Sequence, residues 1–134
     1  MGMKLAISSC VIELVQSASK QARPNEACGL LFGTTDRIGR ATIAANVAPD
    51  PRRHFEIDPA ALFVALRAER AGGERLAGYW HSHPSGIARP SATDLAMAAP
   101  DGRLWLIEAD GELTAWRAPA SPGDTFRPVD WVID

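Results

Sequence analysis

The chain has 134 residues, near the commonest domain size, and its 46% hydrophobic and 22% charged fractions are those of a globular protein, which excludes disorder. Fourteen Lys and Arg against sixteen Asp and Glu leave a formal net charge of −2, so no basic surplus drives binding to a phosphate backbone. No run of roughly eighteen apolar residues offers a membrane-spanning helix. One domain over residues 1–134 is expected, with no nucleic-acid or membrane partner.

Met1–Ala6 lacks the long apolar stretch and cleavage site of a secretory leader, and Ala6 stands where an acylation motif wants Ser or Thr. Lys4–Ile7 reads as a short strand. Ser8 and Ser9 offer an N-cap to a helix whose apolar positions Val11, Leu14, Val15, Ala18 and Ala22 recur at helical spacing up to Pro24. Cys28–Gly33 is a compact apolar run and reads as a buried strand; a turn around Asp36–Ile38 leads to a second strand over Gly39–Val47. Pro49–Arg53 is loop. Asp58 and Pro59 open a helix as N-cap and first helical residue, Leu62, Phe63 and Leu66 supply its buried face, and Gly72-Gly73 ends it. Leu76–Trp80 is another apolar strand, Ser91–Ala98 a short helix, and Leu104–Ala109, Glu112–Arg117 and Phe126–Ile133 three further strands. The expected class is mixed α/β (α+β), with a sheet of about six strands, two longer helices and one short one. The Phe126–Ile133 strand pairs either between chains or within its own sheet. Cys10 and Cys28, the only cysteines, form no CxxC pair, which excludes a zinc ribbon or a thioredoxin-type site. Without an export signal both thiols read as reduced, and the cytoplasm is the expected compartment.

Chemistry concentrates where the Leu76–Trp80 strand runs into His81-Ser82-His83-Pro84. Positions two apart on an extended chain face the same side, so both imidazoles converge at a sheet end, where Pro84 stops the strand. Ser91-x-x-Asp94 follows after seven residues and sets Ser91 and Asp94 on one face of the short helix. Two imidazoles and a carboxylate are a workable ligand set for a catalytic zinc whose fourth position is left to water. An isolated His-x-His is a weak signal, and Ser91-x-x-Asp94 is also a capping box, so the combination carries the reading. Glu26, immediately before the buried Cys28 strand, is the candidate general base, with Glu108 a partial rival and Glu13, Glu69 and Glu74 on helix surfaces or ends. His54 reads as a loop histidine, Cys28 as a buried apolar residue, and the tryptophans as core, with Trp80 beside His81 a possible wall of the site.

Taken together, Pro24-x-Glu26-Ala27-Cys28-Gly29-Leu30-Leu31, His81-Ser82-His83-Pro84 and Ser91-x-x-Asp94 resemble the JAMM metalloproteases of the Mov34/MPN/PAD-1 superfamily, in the small stand-alone prokaryotic form. The resemblance runs from about Leu5 to Ala118. It implies one zinc ion held by His81, His83 and Asp94, with Glu26 deprotonating the bound water and Ser91 stabilising the oxyanion. It also implies hydrolysis after the C-terminal Gly-Gly of a ubiquitin-like or sulfur-carrier protein. The RadC-like branch, with a similar His83-Pro84-Ser85-Gly86 run and a link to DNA, is the alternative, and a non-catalytic protein-binding module the second. Absence of a basic face weighs against the former and the full residue set against the latter. The zincin His-Glu-x-x-His and the deaminase Pro-Cys-x-x-Cys are both missing.

Overall fold

The structure is a computed structural model that describes residues 4–134; Met1–Met3, on which the leader and acylation readings partly rest, lie outside them. Among the described residues, eleven elements follow in chain order: β1 (Leu5–Ile7), α1 (Ser9–Ala22), β2 (Cys28–Gly33), β3 (Arg37–Ala44), α2 (Pro59–Arg70), β4 (Leu76–Ser82), α3 (Ala92–Met97), β5 (Leu104–Ala109), β6 (Glu112–Arg117), β7 (Arg127–Val129) and β8 (Trp131–Ile133). One mixed sheet of eight strands runs β7-β6-β5-β4-β2-β3-β1-β8.

The strand count exceeds the expected six or so because all seven strand-like runs of the sequence join the sheet and the C-terminal one divides. Residues 127–129 pair with β6 at one end of the sheet and residues 131–133 pair with β1 at the other. Only Asp130 joins them, so the two ends must lie side by side and the sheet rolls up around α1. Leu5 N–H donates to Asp130 O at 3.1 Å and the Trp131 indole to Leu113 O at 3.1 Å, fastening the seam. Both halves are therefore satisfied within the chain's own sheet. β3 begins at Arg37, ahead of the expected Gly39, because β1 pairs with it in parallel through Ala6↔Arg37 and Ile7↔Ile38. The turn moves back to Thr34–Asp36, where Thr34 Oγ1 donates to Asp36 Oδ1 at 2.8 Å.

Alternation along the strands builds two cores. On the inner face Leu31, Ile38, Trp80, Leu104 and Leu106 pack with Val11, Val15 and Ala18 of α1. On the outer face Cys28, Leu30 and Phe32 meet Ala65 and the partly buried Leu62 and Leu66 of α2. Phe63, expected in that face, is 63% exposed: it lies one position off the 62, 65, 66 stripe and points to solvent. The cap of α2 is as read from sequence, with Asp58 Oδ1 accepting Ala60 N–H at 3.1 Å and Pro59 at the first position. A bulge at Ala77 resets the phase of β4, since Leu31 pairs with Gly78 but Phe32 with Leu76. Leu76, Tyr79 and His81 thereby share the outer face while Trp80 faces α1.

Trp80 lies over Gly29, its indole N–H donating to Thr42 O at 2.9 Å. A Cβ at Gly29 would stand 1.8 Å from Thr42 O and 2.3 Å from Trp80 Nε1, so only glycine fits. Gly29→Ala should cost about 3 kcal/mol or more; an unchanged urea midpoint would contradict this packing.

Candidate active site

His81 is the sixth residue of β4 and pairs with Cys28 of β2 on one side and Ile107 of β5 on the other. His83 follows the strand's last residue, and its N–H donates to Glu108 O at 2.7 Å. The two side chains, both buried, bring their Nε2 atoms to 2.9 Å. Asp94 Oδ2 stands 3.1 Å from each. α3 delivers it through a complete capping box: Asp94 N–H donates to Ser91 Oγ at 3.0 Å, and Ser91 N–H to Asp94 Oδ2 at 2.9 Å. The capping reading of Ser91-x-x-Asp94 is realised, and its geometry is compatible with the ligand reading, since the carboxylate oxygen that closes the box is the one that faces the imidazoles.

Glu26 reaches the same place from the other side. It precedes β2 by two residues, and the β2–β4 pairing continues past the strand end through Ala27 N–H to Ser82 Oγ at 2.8 Å and Ser82 N–H to Ala27 O at 3.0 Å. Its carboxylate, His81 and His83 offer ligand atoms all within 4.8 Å of one another. Glu26 is 6% exposed, and its Oε1 has no hydrogen-bond partner.

The electrostatics separate the two carboxylates. Burial pushes the Glu26 carboxyl up to about 7, with His83 pulling it down and Asp94 pushing it further up. Burial also acts upward on Asp94, but hydrogen bonds from His81, His83 and the Ser91 backbone outweigh it and hold this carboxyl well below the usual range. Burial lowers His81 below an ordinary histidine against the pull of Asp94. For His83 burial again acts downward, and bonds to Asp94 and the Ile87 carbonyl overcome it to give a net rise.

A carboxylate oxygen and two imidazole nitrogens this close need shared protons or a cation between them. Tetrahedral zinc with nitrogen ligands at roughly 2.0–2.1 Å sets its ligand atoms about 3.3 Å apart, near the spacing seen here, and the donor types suit that ion. His83 Nδ1 lies 2.7 Å from Ile87 O, which fixes the tautomer and leaves the Nε2 lone pair free.

Other expectations sort cleanly. Glu108 is occupied, its Oε2 accepting Gly111 N–H at 2.9 Å to brace the β5–β6 turn. His54 stays outside the cluster. Burial raises the Cys28 thiol to about 12, which removes any nucleophilic role. Trp80 faces the α1 core and does not wall the site. That part is played by Phe55, stacked on His81 at 4.1 Å between centroids and 19° between planes, and by Trp105, edge-on at 5.5 Å. The sequence places the loop over Ala48–Phe55 beside the site but does not single out Phe55 as its wall, because an aromatic in Arg52–Glu56 just ahead of the Asp58 cap is the only local signal.

A sheet rolled around one helix, with a histidine–carboxylate cluster at the end of its central strand, is the arrangement expected of a hydrolytic site, and the fold is shared with known proteins. A JAB1/MPN domain protein from Archaeoglobus fulgidus shares the fold at a TM-score of 0.64 and 21% identity, over 98% of this chain and 100% of that one. A protein from Desulfitobacterium hafniense matches at a TM-score of 0.82 and 28% identity, over 97% and 92%. The family model for prokaryotic homologues of the JAB domain covers residues 8–119, and the chain belongs to that family. A desampylase of Haloferax volcanii is 36% identical over 116 residues, 83% of this chain and 80% of its own length. A CysO-cysteine peptidase of Mycobacterium tuberculosis is 28% identical over 106 residues, 77% and 72% respectively.

If Phe55 shields His81, Phe55→Ala should speed modification of His81 by diethyl pyrocarbonate in the protein as purified without metal, mapped by peptide mass. An unchanged rate at His81 would contradict the shielding role.

Proposed function

We propose that this chain is a zinc-dependent peptidase that hydrolyses the amide bond after the C-terminal Gly-Gly of a ubiquitin-like or sulfur-carrier protein, working as a single metalloprotease domain in the cytoplasm. The observation that carries the reading is the triangle of His81 Nε2, His83 Nε2 and Asp94 Oδ2, with the buried, unpartnered Glu26 carboxylate beside it. The family and the names of its relatives support the substrate class.

His81, His83 and Asp94 would hold one zinc ion, which supplies a coordinated water of pKa near 7 and a positive charge toward a carbonyl oxygen. Glu26 accepts the water proton as general base and returns it to the leaving nitrogen as general acid. Burial raises its carboxyl to about 7 in the metal-free protein, which favours uptake of a proton there. Ser91 Oγ uses a lone pair to accept Asp94 N–H at 3.0 Å, which leaves its own hydroxyl proton to donate to the substrate carbonyl as negative charge develops there. Phe55 and Trp105 keep bulk water from the histidines.

Intact-mass analysis of a carrier ending in Gly-Gly plus a cysteine or short peptide tests the whole reading. Zinc-loaded wild type should cut after Gly-Gly. Glu26→Gln should keep the zinc and lose on the order of a hundredfold in rate; retention of more than about a tenth of the rate refutes Glu26 as the base. His83→Ala should lose the metal, and full zinc occupancy in that variant counts against the ligand set.

A further inference from the structure

Strand pairing carries the chain as far as Ala27, one residue short of Glu26; the carbonyl of Glu26 itself is held by Asn46. The residue follows the end of β3, where it forms an isolated bridge with Ile57. Its Nδ2 donates to Glu26 O at 2.9 Å and His54 O at 3.0 Å, with Pro51 O at 3.5 Å. Its Oδ1 accepts Ala48 N–H at 3.0 Å and Glu56 N–H at 3.1 Å. Two donors and two acceptors are thereby used in full, and with carbonyls on one side and N–H groups on the other the amide has a single orientation. Glu26 N–H donates to Pro51 O at 2.7 Å, so the backbone of Glu26 is held on both its N–H and its C=O.

We infer that Asn46 is the positioning residue of the active site: one amide sets the Glu26 carboxylate beside the histidines and folds residues 47–56 so that Phe55 lies on His81. This deepens the proposed function and rests on it. Only asparagine meets the requirement. An aspartate has no donor for the Glu26 and His54 carbonyls and repels them, an alanine releases all the bonds, and glutamine is one methylene too long. Asn46 touches neither the imidazoles nor Asp94, so its loss should leave the ligand set standing. Cys28, fully buried beneath the same loop in the cluster with Ile57 and Phe55, reports whether the clamp is closed.

Asn46→Asp and Asn46→Ala test the assignment at a temperature where both are folded by circular dichroism. Each should bind zinc as wild type does and keep KM within about threefold. Their kcat should fall on the order of a hundredfold, as expected for a displaced catalytic group. A thiol reagent in native buffer should label Cys10 alone in wild type and Cys28 as well in both variants. A folded variant with wild-type kcat overturns the assignment. If wild type itself cleaves no Gly-Gly carrier, the substrate reading has failed instead, and thiol labelling still decides: Cys28 protected in both variants overturns the clamp, and Cys28 exposed in both supports it.

Discussion

The register of β4 against β2 is the constraint on which the rest depends. Cys28 opposite His81 fixes which face of β4 carries the histidine, and because side chains alternate, a slip of one residue would turn His81 into the α1 core and Trp80 onto the outer face. The pairing does not stop at the strand ends. Carried one step further by the Ala27–Ser82 bonds, it brings Glu26, more than fifty residues away along the chain, to the histidine pair. The Trp80–Gly29 contact defends that register from the opposite face, where no other residue fits under the indole.

Around this axis the molecule divides its labour. The inner face, rolled about α1, is apolar, and the C-terminal run ties the two ends of the sheet together through Asp130, pairing with β6 before it and with β1 after it. The outer face near the C-terminal end of β4 holds the buried ionisable groups. Burial there acts upward on both carboxyls, but only Asp94 receives hydrogen bonds strong enough to reverse it; Glu26, whose Oε1 has no partner, stays raised. Under the proposed mechanism two acids of the same chemistry take different tasks, one to hold a cation and one to move a proton.

Features whose physics is local were legible in the sequence: the Asp58-Pro59 cap, the Ser91-x-x-Asp94 box, and the two histidines spaced to share a face. Glu26 was legible only through its motif, because proximity to His81 depends on strand pairing. Features set by closure of the whole sheet were not legible. Nothing in Phe126–Ile133 announces that Asp130 hands the chain from one end of the sheet to the other, nor that β1 recruits Arg37 and Ile38 into β3. Phe63 was assigned to a buried face by spacing alone, whereas the stripe chosen by the outer sheet face runs through Leu62, Ala65 and Leu66. Phe55 and Asn46 belong to a loop whose shape is a network of side-chain-to-backbone bonds, invisible to periodicity.

The central claim is that two imidazoles and one carboxylate hold zinc in this cluster. X-ray absorption at the zinc K-edge on protein loaded with one equivalent of metal tests it most directly. The expected result is light atoms only at about 2.0 Å from zinc, with the longer-range scattering pattern of two imidazoles. A sulfur scatterer near about 2.3 Å, or fewer than two imidazoles, would contradict it.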